Sequence, residues 1–455
     1  MKFTFSKVLV SSFLILLLTT SCRKESTVSD FVNPNIRTST TYAAQFETVW
    51  QGMDQGYVFW GDDTVDWDER YRIYKPVFDS FDRASYVSQA AYQEAYTGLF
   101  EGLLDHHLFG LFYAPDNVGK LAMVSPGKNT YEHTTYSGTE REKELEALQE
   151  RSDLVRYCGY GPTVNYNYGI SIPGTYFALI KGKREGEMIA YFRFTDFSLS
   201  ELLQYRSVLP SYVFAPIKAF YGTDEGSGMT SKGYANNDSV VGIIIDLRGN
   251  GGGNTADLQP FIGSLSQSNN VVGYTRVKDG FGRLDYSPWA EYTVNCPSGH
   301  LLKEKPVVAL VDINSVSCAE LATMLIKGLP QGKVIGERTY GAIGALLPNS
   351  TSSHDMFYSG CMGDYKIYSY YQQYISEGYD YLISVYHSER EYKQTYPFYI
   401  YIYTSTFNMV DKDHNRVEGI GVQPDIEVLF NRNRLWNDGV DVQLQRAINY
   451  IKTGR

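Results

Sequence analysis

One junction constrains this chain more than any other stretch. Residues 306–312, Pro-Val-Val-Ala-Leu-Val-Asp, form an apolar run suited to a buried strand, and residues 319–329 carry the apolar spacing of an amphipathic helix. Asn314-Ser-Val-Ser-Cys-Ala-Glu320 joins the two. A small hydroxyl residue, Ser317, therefore sits where a strand ends and a helix begins, at the rim of a sheet and facing helix N–H groups. Two readings follow. Ser317 is a candidate nucleophile, or Ser317 and Glu320 form a capping box that only starts the helix.

A second strand-like run, Ser239-Val-Val-Gly-Ile-Ile-Ile-Asp246, leads into Leu247-Arg-Gly-Asn-Gly-Gly-Gly253. Three consecutive glycines let the backbone turn sharply and offer N–H groups to an anion. Preorganised donors of that kind stabilise the oxyanion of acyl transfer, and Gly251, Gly252 and the N–H of Cys318 are the candidates. The simpler reading is a glycine-rich turn before a helix near residues 256–265.

Four stretches in order, Asp246–Gly253, Asn314–Glu320, Val334–Gly341 and Glu418–Val428, resemble the motif series of the C-terminal processing (tail-specific) and tricorn-core serine peptidases. The resemblance implies an α/β fold with a ClpP/crotonase-like catalytic core and an N-terminal helical domain. It implies a serine endopeptidase that hydrolyses extended or unfolded polypeptide through an acyl-enzyme, without metal or organic cofactor. The lysine that processing peptidases place 25 residues after the serine is Ala342 here, and the glutamine that often follows is Leu346. The tricorn-like branch uses a histidine and an acid instead, and its pattern maps onto His107 and Glu418, with His106 adjacent. In those roles His107 would take the Ser317 proton and Glu418 would orient the imidazole. His354 and His414 are further conceivable bases, in loops between core elements. The alternative is a catalytically inactive peptidase-like lipoprotein that binds peptides or glycans, as the missing lysine suggests.

The N-terminus reads as targeting sequence: a basic start, an apolar run over residues 8–18, and Leu18-Thr-Thr-Ser-Cys22, which resembles a bacterial lipobox. The expected organisation is a signal peptide (1–21), a tether lipidated at Cys22 (22–42), an N-terminal helical domain (43–114), an atypical inter-domain segment (115–186) and the peptidase core (187–455). A lipid anchor would place the protein in the cell envelope, at the outer membrane, facing the periplasm or, as the alternative, exposed at the cell surface. The formal charge of −10 argues against a nucleic-acid partner, and the family resemblance implies a polypeptide one. Five cysteines include no Cys-x-x-Cys pair, so no metal site is expected.

Phe46, Trp50, Met53 and Tyr57 recur at helical spacing; further helices are expected near residues 67–74, 87–104, 140–157, 199–209 and 440–451. The family's PDZ domain would fall between residues 115 and 186, where its carboxylate-binding loop is missing, so a PDZ is absent or heavily reduced. A tyrosine-dense insertion, residues 355–403, suits strands or a binding face.

Overall fold

The computed structural model describes residues 41–115, 120–127, 138–161, 164–166, 170–223, 229–279, 282–298, 301–344, 362–363 and 400–455. Cys22, Leu346, His354 and nearly all of the tyrosine-dense insertion lie outside these residues.

The helices α1 (Tyr42–Gly56), α2 (Trp67–Arg83) and α3 (Gln89–Phe100) open the fold, each started by a side chain, Thr41, Asp66 or Ser88, that accepts an N–H of the first turn. Their apolar faces close on an aromatic core containing Phe46, Tyr57, Trp67, Phe78, Tyr96 and Phe112. Strands β1 (Phe109–Tyr113) and β2 (Leu121–Val124) extend this unit.

Helix α4 (Gly138–Gln149) precedes β3 (Leu154–Tyr160), the small hairpin β4 (Val164–Tyr166) and β5 (Ile170–Ile172), then β6 (Thr175–Lys181) and β7 (Met188–Phe194). The sequence suggested one helix over 140–157; the chain instead leaves the helix at Gln149 and enters a strand. Helices α5 (Leu199–Gln204) and α6 (Ala215–Phe220) lead to β8 (Val240–Asp246). After the glycine triplet the expected helix is a succession of 3₁₀ and π turns over Thr255–Leu265. Strands β9 (Asn270–Val277), β10 (Ala290–Val294) and β11 (Val307–Val311) are followed by α7 (Cys318–Gly328) and β12 (Gly332–Gly336). The chain ends with β13 (Met362–Gly363), β14 (Ile400–Tyr403), β15 (Phe407–Asp411), β16 (Ile426–Glu427), α8 (Arg432–Asp438) and α9 (Val442–Thr453).

The central seven-stranded sheet has the order β16-β12-β11-β8-β7-β6-β3 and is mixed. Neighbours from β16 to β7 pair in parallel, and β6 adds antiparallel to β7 and to β3. Parallel strands covered on both faces need apolar side chains at every position, which is why β8 and β11 read as unbroken aliphatic runs. Ile243, Ile245, Val307 and Ala309 pack with Leu321, Ala322 and Leu325 of α7 on one face. Ile244, Val308 and Leu310 pack with Leu444, Ala447 and Ile448 of α9 on the other. Burying the Leu and Ile of α9 contributes about 1.5–3 kcal/mol each.

The boundary expected at 186/187 is therefore displaced: β3 and β6 lie inside the 115–186 segment yet belong to the central sheet. Glu144 of α4 is also buried in that core, bonded to Arg193 and Arg248. A separate four-stranded sheet, β13-β14-β1-β2, joins the end of the tyrosine-dense insertion to the helical unit, and a three-stranded sheet, β10-β9-β15, flanks α7.

Candidate active site

Ser317 immediately precedes α7 and has φ 57° and ψ −117°, one of three non-glycine residues with positive φ among those described. Such a conformation costs on the order of 1–3 kcal/mol and persists only where the surroundings enforce it. Here the enforcing group is Glu320, fully buried, whose Oε2 accepts the Ser317 N–H at 3.1 Å. Ser317 and Glu320 thus form the expected capping box: the Glu320 arm is a full hydrogen bond, while the Ser317 side chain faces the Glu320 N–H without closing a cap hydrogen bond. The strand-to-helix turn leaves that hydroxyl uncommitted, as a nucleophile requires. Cys318 is buried with its thiol against the Asn254 carbonyl, and burial raises its pKa well above the usual thiol value. It packs as a small apolar residue and offers no competing thiolate.

The glycine triplet lies against Ser317, although two of its predicted donors are occupied. Gly251 N–H donates to the Thr195 carbonyl at 3.2 Å, and Gly252 N–H to Asn250 Oδ1 at 2.9 Å. The reason is local: Asn250 closes an Asx turn over the two glycines, and β7 runs alongside. Gly252 instead supplies close approach, since a Cβ there would sit 2.7 Å from Ser317 Cβ and 3.0 Å from Cys318 N, at φ +91°. Of the three expected oxyanion donors, Cys318 N–H, at the first position of α7, keeps no acceptor among the described residues. Gly253 N–H is likewise uncommitted; as the third glycine of the triplet it was visible in the sequence but not singled out.

Ala342, the residue expected at the lysine position of the processing peptidases, lies in a fully specified loop. Every N–H from Thr339 to Gly344 has an acceptor within the protein: Val422 and Ser315 carbonyls for Thr339 and Tyr340, Glu320 for Gly341 and Ala342, and Glu418 for Ile343 and Gly344. The Thr339 hydroxyl adds a fourth donor to Glu320 at 2.6 Å. Glu320 thereby binds the Ser317 turn to this loop, a role whose sequence signal was only the capping box.

Glu418 is buried and does not orient an imidazole. Its Oε2 takes the Ile343 and Gly344 N–H groups, and its Oε1 takes the backbone N–H of His106 at 2.8 Å. The expected side-chain pair His107–Glu418 is thus replaced by a carboxylate holding the histidine turn through its main chain. Asp105 starts that turn: Oδ1 accepts the His107 N–H at 2.8 Å, and its two oxygens also hold the N–H and hydroxyl of Ser405. Ser405 in turn donates to the Gly344 carbonyl. Segments around residues 105, 317, 342, 405 and 418 are therefore joined into one site.

His107 Nδ1 is sealed from solvent with no hydrogen-bond partner among the described residues, and no hydrogen bond joins either imidazole to the Ser317 hydroxyl. The His106 ring packs on Tyr340 with centroids 4.9 Å apart. Burial lowers both imidazoles to about 4; Arg338 adds to the effect at His106, and His106 adds to it at His107. Burial works in the opposite sense on the carboxyls, raising Asp105 to about 6 and Glu320 to about 7. Glu418 rises well above its usual value, through burial first and then the neighbouring Asp105. His414 stands apart, stacked on Tyr274 at 4.2 Å beside the three-stranded sheet. Among the described residues no group of three or more His, Cys, Asp or Glu could hold a metal ion.

A strained serine at a strand-to-helix turn, packed against a glycine triplet, agrees with the family that the chain matches. Residues 189–374 match the model of peptidase family S41. The matched residues contain the glycine triplet, Ser317 and Ala342, while the histidine turn and Glu418 lie outside them. A 101-residue stretch is 33% identical to a tricorn protease homologue of Streptomyces coelicolor, covering 22% of this chain and 7% of that protein. The match thus spans a small part of that relative's length. The crystal structure of a protein described as a peptidase from Parabacteroides merdae superposes with a TM-score of 0.55 at 17% identity, covering 92% of this chain and 98% of that one. Mature CPAF complexed with lactacystin aligns at a TM-score of 0.49 and 12% identity, over 90% of this chain and 97% of that chain. The Parabacteroides structure carries the likeness in overall fold, a mixed α/β arrangement around a central mixed sheet.

Proposed function

We propose that this chain is a serine-type endopeptidase with a ClpP/crotonase-like core that cleaves extended or unfolded polypeptide, using Ser317 as nucleophile. The observation that carries this reading is the enforced positive φ of Ser317 beside Gly252, with its hydroxyl uncommitted. The Ser317 oxygen attacks the scissile carbonyl carbon and its proton passes to an imidazole of the histidine turn. Cys318 N–H receives the oxyanion. The C–N bond breaks as the imidazolium returns the proton to the leaving amine, and water then hydrolyses the ester to a carboxylate and free Ser317. His107 is the base that the family pattern favours. Glu418 acts by fixing the turn that carries it, a role supported by the bond to the His106 N–H.

Degradation of an unfolded protein by the chain from Lys24 onward, beside Ser317→Ala and His107→Ala, tests the reading. Loss of cleavage in both variants is expected. Cleavage that survives Ser317→Ala would sink it. One arrangement favours the second reading, a binding lipoprotein without turnover: Ala342 replaces the lysine and Ser317 has no imidazole in hydrogen-bond contact. Absence of cleavage by the parent, with retained binding of unfolded polypeptide, would select it. For location we propose an outer-membrane anchor through lipidated Cys22 that faces the periplasm; palmitate labelling lost in Cys22→Ser is the expected result.

A further inference from the structure

We infer that Asp62 is a positioning residue that fixes the histidine turn on the core carrying Ser317, an inference that rests on the peptidase reading. The loop between α1 and α2 has two sides. On one, Asp63 Oδ2 accepts the Leu104 N–H at 2.8 Å and the Tyr57 hydroxyl at 2.8 Å, and that hydroxyl oxygen accepts the Asp105 N–H at 3.0 Å. The backbone leading into His106 and His107 is thus suspended from Tyr57 and Asp63. Both Tyr57 and Asp105 are fully buried, so these bonds are shielded from competing water.

The other side faces the three-stranded sheet. Asp62 Oδ2 accepts from Arg276 at 3.0 Å and from the buried Asn408 amide, while its carbonyl accepts from Arg416 at 3.0 Å. Gly61 N–H donates to the Tyr286 hydroxyl at 3.0 Å. Arg276 is itself held by two aromatic rings, 4.2 Å from the Tyr286 centroid and 4.5 Å from that of Trp289. A guanidinium stacked in this way has little freedom to follow a departing carboxylate. Arg276 belongs to β9 and Asn408 to β15, which share a core with α7 through Val272, Met409, Cys318 and Ala322. Position therefore passes from α7 through β9 and β15 to Asp62, and through the adjoining Asp63 to the histidine turn. Neither imidazole has a side-chain hydrogen bond to Ser317, so their separation is set through main-chain anchors, of which this route is one and the Glu418 contact to the His106 N–H another.

Asp62→Ala removes the acceptor for Arg276 and Asn408, whereas Asp62→Asn keeps an acceptor oxygen. Two measurements are made on the full chain: amide hydrogen exchange, and kcat and KM on an unfolded protein. In Asp62→Ala, exchange over residues 104–108 is expected to rise on the order of tenfold while the amides of β7 and β8 keep the parent rates. A fall in kcat of about tenfold should accompany it, with KM within about twofold, as expected for a misplaced base. Asp62→Asn is expected to restore both. Parent-like exchange over 104–108, a uniform rise across the protein, or local loosening with kcat unchanged would each overturn the inference. The exchange measurement does not depend on turnover, so a parent without Ser317-dependent cleavage would sink the peptidase reading while the coupling through Asp62 is still decided.

Discussion

Gly252→Ala is the substitution whose consequence follows most directly from the geometry. The added methyl would meet Ser317 Cβ and the Val316 carbonyl oxygen at 2.7 Å, about 0.7 Å short of the 3.4 Å at which ordinary contacts begin. The obstructing atoms are the Ser317 Cβ and the adjoining backbone, so no flexible side chain can yield. Placing alanine at φ +91° costs roughly 1–2 kcal/mol, and overpacking adds about 1–3 kcal/mol. Part of that cost is relieved by shifting Ser317, and a displacement approaching 1 Å lowers a reaction rate on the order of a hundredfold. The assay is the rate at which a fluorophosphonate phosphonylates Ser317 with loss of fluoride, read with the thermal midpoint. Gly251→Ala is the matched control: no atom lies within 4 Å of its Cβ, and its φ is not in the left-handed region. That variant is expected to stay within about 0.5 kcal/mol of the parent and to react at the parent rate. Parent-like phosphonylation in Gly252→Ala, or equal losses in both variants, would refute the argument that close approach to Ser317 is why glycine stands at 252.

Arg248 is fully buried and bonded to Glu144, Asp246 and Asp441, so Arg248→Ala leaves three buried carboxyl groups with Arg193 as their nearest remaining cation; a loss of about 3–5 kcal/mol is expected in urea unfolding. Parent-like stability would show that those carboxyls are solvated or protonated instead. Burial raises the Glu320 carboxyl to about 7 from an ordinary 4.5, so its contribution to stability is complete below about pH 4.5 and is lost as pH rises through 7. Gln carries no such titration, so the stability difference between parent and Glu320→Gln should shrink by up to about 3 kcal/mol over that window; a constant difference would contradict a buried, titrating carboxyl. Burial lowers His107 to about 4, which leaves it neutral and able to accept a proton at any pH well above that. The acid limb of kcat/KM is then expected near pH 4, and a limb near 6.5 would exclude a buried imidazole as the base.

The parts of this fold that were legible in the sequence are those whose side chains carry the signal. Strands β8 and β11 declare themselves because both faces are covered, and α7 begins within one residue of its expected start because Ser317 and Glu320 mark it. Strand β3 does not, since an edge strand with half-exposed Tyr and Gly has no periodicity to distinguish it, and its register with β6 is set by distant residues. The same distinction explains the site. Ser317 was found from a local pattern, but the partners of Asp105, Glu320 and Glu418 are largely backbone N–H groups, which every residue type presents alike. A carboxylate expected to face an imidazole was therefore in truth facing main chain. One consequence bears on catalysis. Every N–H of the loop from Thr339 to Gly344 is committed, and its side chains include no amine, imidazole or carboxylate. In the proposed mechanism the base for Ser317 therefore comes from another segment, and the turn tied to this loop through Glu418 carries two histidines.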